Sequence, residues 1–548
     1  MRLPVTALAR LLAVASCGSS TPSSATYDYV IIGAGPAGLT LANRLSASGS
    51  KNVLVLEAGL PHLNDPSILI PGFLGSTVGN ASYDWLFTTV PQTLANNRSI
   101  VWSRGKTIGG STALNFMAWG RPASGEIDAV EALGNPGWSW SNLFKYIKKA
   151  ETFQTPDPVY AAAYNLTYVA SNHGYSGPVH NSFPAFTSSA QLPWTDALGT
   201  IGVPTIVDAD GGADVGAWYT LANIDNTTKT RSYAATSYYA PAAGRGNLKL
   251  ITGAMASRIV TTSGSTVKAT AVEYYIESTK YTAPLSPTGE VIVSAGTINS
   301  PKVLELSGIG DPAILTPLGI PVAVNLPSVG NGVVDQLFTG ISYELKNSSI
   351  VTLDDLRDPT FLASALAEYE ANKTGIMTIG VSAFALAPLQ TLTANASTMI
   401  AAQALKVKNS NASLATKALW AVQLAQLAQP KKFGLVEFVA FPGFFTTASA
   451  PAAGKKYLTF TVDYQFPFSR GSIHISSANY TVQPTINPNY LLEDFDLEVL
   501  VAGIKFGRKL ATTAGFASVL GPEADPGPAY QTDDQIKGVP PNLLLSLV

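Results

Sequence analysis

Three glycines stand in the run Gly33-Ala34-Gly35-Pro36-Ala37-Gly38, and Glu57 follows the last of them by 19 residues. That spacing suits a diphosphate and a ribose. A first glycine permits a sharp turn, a second lets the diphosphate approach the backbone, and a third lets a helix pack closely on a strand. A helix starting there aims free N–H groups and its positive dipole end at the phosphates. A carboxylate about 20 residues on accepts the ribose hydroxyls. The chemistry is dinucleotide binding, and this motif does not choose between a flavin and a nicotinamide.

The elements that must position these residues are legible around them. Tyr29-Val30-Ile31-Ile32 is a short apolar run suited to a strand covered on both faces. Leu39, Leu41, Ala42 and Leu45 then repeat at helical spacing, and Gly49 supplies a stop. Val53-Leu54-Val55-Leu56 is a second strand, with Glu57 and Ala58 at its carboxyl end.

Two further stretches choose the cofactor. The first is Arg104-Gly105-Lys106-Thr107-Ile108-Gly109-Gly110-Ser111-Thr112-Ala113-Leu114-Asn115, continuing as Phe116-Met117-Ala118-Trp119-Gly120-Arg121-Pro122, with Asp128 beyond. The second runs Gly296-Thr297-Ile298-Asn299-Ser300-Pro301-Lys302-Val303-Leu304-Glu305-Leu306-Ser307-Gly308-Ile309-Gly310. With the N-terminal fingerprint, they resemble the signatures of the glucose–methanol–choline (GMC) oxidoreductases, which are FAD enzymes. The resemblance extends from about Tyr27 to about Ile536, through Arg231-Ser232-Tyr233-Ala234, Leu248 to Ile259 and Ser469 to Ile475.

The resemblance implies a mixed α/β fold: a Rossmann-like FAD-binding domain with a substrate-binding cap of antiparallel sheet and helices. Residues 26–340 would be mainly FAD-binding with cap insertions, 341–464 mainly substrate-binding, and 465–548 an incomplete C-terminal region of the family. Gly33 to Gly38, Glu57 and Ala58 would hold the ADP half. Thr107, Gly109, Gly110, Ser111, Asn115, Phe116, Met117 and Ala118 would line the flavin face. Ala256 stands where the family usually places a valine whose main chain meets the adenine. Flavin N5 would accept hydride from a substrate C–H while a base takes the alcohol proton.

The family usually carries that base in a C-terminal His-x-x-Gly-Thr segment, followed by a strand that completes the FAD domain. Here the family-like text stops at Asp533-Asp534-Gln535-Ile536 and is replaced by a tail from Lys537 to Val548 without histidine. The change reads as translation past an exon boundary. The expectation is therefore a truncated chain with no assigned catalytic residue, a missing packing edge and weak FAD binding. His474, in an alternating strand-like run, reads as structural or surface. His62, His173 and His180 read as solvated loop residues. The segment Phe441-Pro442-Gly443-Phe444-Phe445 reads as core, with a substrate entrance as the other reading.

Composition bounds the rest. At 548 residues the chain suggests three or four domains of about 150 residues, or equally two large ones. Charged residues make up only 13% and net charge is −2, which disfavours nucleic acid as a partner. Nothing offers 18 uninterrupted apolar residues, so no membrane span is expected. Asn80, Asn97, Asn165, Asn226, Asn347, Asn372, Asn395, Asn411 and Asn479 head N-glycosylation sequons. Residues 1–25 read as a signal peptide and leader, so a secreted glycoprotein is expected. Cys17 is the only cysteine and no two histidines lie three to five apart, so no metal site is expected.

The resulting expectation is a secreted fungal-type FAD dehydrogenase or oxidase. It would act on a small-molecule alcohol, with O2 or a quinone-like electron acceptor, possible substrates including an intermediate of secondary metabolism. A truncated, catalytically impaired flavin-binding pseudoenzyme and a flavin-containing hydroxynitrile lyase remain open beside it.

Overall fold

The structure, a computed structural model, describes residues 26–538 apart from 265, 447 and 448. The leader with Cys17, and the tail from residue 539, lie outside the described residues.

The apolar run Tyr27–Ile32 and the four-residue strand Val53–Leu56 pair in parallel, with Tyr29 opposite Val53 and Ile32 opposite Leu56. Leu248–Ile251 extends this sheet on one side. On the other lies Thr279–Val293, whose carboxyl half runs parallel to the first strand. Its first half turns back into an antiparallel meander with Ala269–Ile276 and Ala254–Thr261. Val30, Ile31 and Val53 to Leu56 are all buried, because the helix Pro36–Leu45 covers one face and the helix Gly296–Leu306 the other. The strands therefore read as continuous apolar runs rather than alternating ones. Their carboxyl ends at Ile32, Leu56 and Val293 fall together at one rim.

A second six-stranded sheet is wholly antiparallel. Its order is Leu520–Asp525, Leu337–Leu345, Tyr457–Tyr464, Val436–Phe441, Ala383–Ala387, Gly216–Tyr219. Both sheet and helices match the mixed α/β class expected from the sequence. One face carries Val436, Phe438, Ala440, Leu458, Phe460, Val462 and Tyr464 in the largest core, shared with the 18-residue helix Asp494–Ala511. The opposite face carries Trp218, Phe384, Leu386, Val439 and Phe441, and packs on Leu74 and Phe116. That second contact joins this sheet to the run Gly109 to Ala118. Among the described residues no helix is long and apolar enough to cross a membrane.

The helix approaches the sheet at Gly503, where an added Cβ would lie 2.3 Å from Cγ1 of the buried Val462. Replacing glycine by alanine gains about 1 kcal/mol of helix propensity, whereas overpacking a core costs about 1–3 kcal/mol. Gly503→Ala is therefore expected to lower stability by up to roughly 2 kcal/mol in a denaturant titration, despite improving the helix itself.

Candidate functional site

A cavity of about 400 Å³ opens where the parallel strands end, at the crevice where doubly wound folds bind ligands. The turn Gly33, Gly35, Pro36 and Ala37 lines it, together with Glu57, Ala58, Gly110, Ser111 and Ala256. Gly33 has φ +102°, and a Cβ there would lie 2.5 Å from the Ser294 carbonyl oxygen. Gly110 has φ +53°, and its Cβ would meet the Cα of Gly35 at 2.8 Å. Two loops far apart in sequence thus touch main chain to main chain, and the Gly109 N–H donates to the Ala34 carbonyl at 2.8 Å. Gly35 differs: nothing lies within 4 Å of its Cβ position. A side chain there would fill the space through which a diphosphate reaches the backbone.

Glu57 is buried, and each of its oxygens accepts one backbone N–H at 2.8 Å, from Ala34 and from Gly59. Burial pushes its carboxyl up to about 7, against those two hydrogen bonds and the Lys106 charge. Ribose hydroxyls would add the donors that favour the charged form.

Not every residue expected at the cofactor reaches this cavity. Ala34 and Gly38 serve the turn itself, Gly38 lying against the Gly33 carbonyl. Thr107 is fully buried and its hydroxyl donates to the Leu60 carbonyl at 2.9 Å. Asn115, Phe116, Met117 and Ala118 lie beyond the cavity, on the path to the second sheet. The Asn115 Oδ1 accepts from Arg231 Nη1 at 2.6 Å, so half of its amide is committed to holding the segment. Arg231 is buried and also donates to the carbonyls of Ile68, Thr112 and Asn115. Sequence reading placed Arg231 only as part of a family-like run; a buried arginine pinning three carbonyls shows no periodicity that would reveal it.

Phe116 meets Phe445 at 5.5 Å and Phe441 at 6.4 Å, both edge to face, while Phe441 stacks on Phe445 at 4.4 Å. Phe338 closes the group against Phe445 at 5.5 Å. The Phe441 to Phe445 segment is therefore a packed aromatic face beside the flavin-type motif. In the same sheet Glu437 stands opposite Asp463, and Asp463 opposite Phe338. Burial pushes both carboxyls up, Glu437 to about 7, and the Asp463 Oδ1 has no hydrogen-bond partner. Two acids at adjacent strands are invisible in sequence because 25 residues separate them.

His173 departs from the solvated loop residue expected, while His474 is structural as expected. His180 lies in the strand Val179–Ser182 and pairs with Asp225 at 3.0 Å. His173 is buried rather than solvated, 3.1 Å from Glu151 and 3.2 Å from Asp208. Arg121 joins them, donating to Glu151 at 2.7 Å and to the carbonyls of Asn172 and Asp210. Glu151, His173 and Asp210 bring ligand atoms within 4.8 Å of one another, but the Arg121 guanidinium already supplies the local positive charge. Burial alone would lower the His173 pKa, yet its bonds to Asp208 and Glu151 outweigh that and raise it to about 9. This cluster ties the chain just after Ala118 to two distant loops. His474 pairs with Glu305 at 2.6 Å, and His62 lies 3.8 Å from Asp65.

Comparison with known proteins agrees with this geometry. Residues 27–338 match the N-terminal model of the GMC oxidoreductases and residues 467–539 the C-terminal one. A dehydrogenase of Armillaria gallica is 34% identical over 510 residues, covering 89% of this chain and 78% of that protein. A GMC oxidoreductase family protein of Malassezia sympodialis is 34% identical over 518 residues, covering 93% and 80%. Among solved structures, an FAD-dependent oxidoreductase from Chaetomium thermophilum superposes with a TM-score of 0.86 at 29% identity, over 95% of this chain and 88% of that one. A fungal aryl-alcohol oxidase gives 0.81 at 25%, covering 94% and 87%. The chain belongs to the GMC oxidoreductase family, and its cofactor is FAD.

The residues present fit that group, as the open Cβ position at Gly35 and the glycine-lined floor show. Gly33 to Ala37 would cradle the diphosphate, Glu57 the ribose and Ala256 the adenine. When bound, FAD supplies an acceptor for hydride. The chain would orient it through backbone N–H groups, with Trp85 and Phe87 in the cavity lining beside it.

Two pH effects follow. FAD binding needs Glu57 ionised, so the affinity of the flavin-free protein is expected to fall by about tenfold per pH unit below 7, read by fluorescence titration. His173 is about 9 in the fold against 6.5 in the unfolded chain. Its contribution is present in full below pH 6.5 and lost as pH rises through 9. Relative to His173→Gln, the wild type is expected to lose on the order of 3 kcal/mol of stability across that window.

Proposed function

We propose that the protein oxidises a primary or secondary alcohol by hydride transfer to its flavin, with a small, largely apolar substrate held against the aromatic face. The observation that carries this reading is the meeting of Phe116, Phe338, Phe441 and Phe445 at the end of the run that begins on the cavity floor. Phe338 and Phe441 are the buried backing of this wall, and the half-buried Phe116 and Phe445 are the members that would meet an aryl or allylic alcohol. The likeness to an aryl-alcohol oxidase and to the patulin synthase of Aspergillus clavatus, 30% identical over 540 residues, supports both the donor class and a place in secondary metabolism. The patulin synthase match covers 95% of this chain and 82% of that protein. The electron acceptor in this reading is O2 or a quinone-like molecule.

The proposal extends to a secreted glycoprotein. Its support is the sparse surface charge and the placement of the sequons: Asn226 is half-buried, and Asn80, Asn97, Asn165, Asn347, Asn372, Asn395, Asn411 and Asn479 are exposed.

The test is anaerobic. Mixing the flavin-loaded protein with benzylic and allylic alcohols is expected to bleach the oxidised flavin band, and readmitted acceptor to restore it. A band that persists through all alcohols tried would sink the oxidase and dehydrogenase readings together.

A further inference from the structure

Lys302 lies on the helix Gly296–Leu306 and lines the same cavity as the Gly33 to Ala37 turn. It is 5% exposed. Among the described residues no carboxylate or carbonyl pairs with its ammonium, and burial alone pushes its pKa down to about 8. One turn earlier on the same face, Asn299 is 8% exposed and its Oδ1 has no hydrogen-bond partner. Helical side chains tilt toward the N-terminus, so the Lys302 stem runs back past Asn299 toward the helix start. That start abuts the diphosphate turn, since Ser294 and Ala295 are the atoms a Cβ on Gly33 would strike.

A buried ammonium without a counter-charge is unfavourable. It persists where a ligand brings the anion. The other cation of the cavity lining, Arg104, donates to the Ser103 carbonyl and lies over the Trp102 ring. Glu57, its carboxylate, is committed to the ribose side. We propose that Lys302 is the counter-charge for the cofactor diphosphate, its ammonium aimed by the Asn299 carbonyl oxygen. This inference rests on flavin binding and is independent of the alcohol reading. It makes Lys302 a binding residue that holds the cofactor by charge where the glycine turn holds it by shape.

The test compares the full chain, stripped of flavin, with Lys302→Met and Lys302→Arg. ADP and FAD are titrated by calorimetry, with adenosine as a competitor that lacks phosphate. Thermal unfolding of each flavin-free protein is recorded in parallel. Lys302→Met is expected to weaken ADP and FAD by about tenfold to a hundredfold, the usual range for losing a charge-assisted bond. Adenosine competition stays the same, and Lys302→Arg recovers most of the loss. Removing an unpaired buried charge should also raise the melting temperature of the flavin-free Lys302→Met protein. A merely structural lysine would do the opposite, lowering it. Unchanged ADP affinity, an equal loss for adenosine, or a lower melting temperature in Lys302→Met would each overturn the assignment.

Discussion

The site depends on one constraint: two loops must meet with no side chain between them. Gly110 lies on Gly35, and a Cβ on Gly59 would come within 2.1 Å of the Lys106 carbonyl oxygen. Backbone N–H groups can face a ligand at this rim only because the chain there carries no bulk. The sheet aligns the carboxyl ends of its strands, the glycine contacts bring the Gly105 to Ser111 loop onto that rim, and the cavity is what remains between them. Apolar packing backs the junction, with Ile108, Ala113 and Leu114 in one core cluster with Ala34 and Leu39, but the contact at the rim itself is main chain on main chain.

Buried polar groups hold the irregular chain on either side. Arg231 gathers carbonyls from Ile68, Thr112 and Asn115, and Arg121 gathers those of Asn172 and Asp210 with the Glu151 carboxylate. Each satisfies main-chain groups that irregular loops would otherwise bury unpaired, a cost of about 1–3 kcal/mol apiece. The two arginines flank the run from Thr112 to Arg121, so its course is fixed at both ends. Phe116 projects between them into the aromatic face and, with Leu74, joins the cavity floor to the antiparallel sheet.

Much of this was legible. The strand, glycine turn, helix and second strand that ends at Glu57 follow from local spacing, because a turn, a helix start and a strand end are local events, whereas the fold class and the second glycine-rich run are read from the family resemblance. The resemblance places Asn115 to Ala118 with the cavity residues, whereas the chain turns away at Met117, which has φ +63°. Long-range pairing left no such trace. His173 looks like any loop histidine until Glu151 and Asp208 arrive from 22 and 35 positions away. Lys302 sits inside a recognisable run, yet only burial reveals that its charge lacks a partner. Glu437 and Asp463 alternate with apolar neighbours as surface residues would, and the second covering of their sheet face is a tertiary fact.

The strand order of the antiparallel sheet bears on how the chain is made. Gly216–Tyr219 pairs with Ala383–Ala387, which emerges about 160 residues later, and Leu520–Asp525 joins last. At roughly 5–20 residues per second of synthesis, the first of these strands waits on the order of ten to thirty seconds for its neighbour. Its apolar residues Ala217, Trp218 and Tyr219 are uncovered for that interval, whereas Tyr27–Ile32 finds Val53–Leu56 within seconds. The parallel sheet can begin to close on the ribosome while the antiparallel sheet is still an open edge, and chaperone demand should fall on the second.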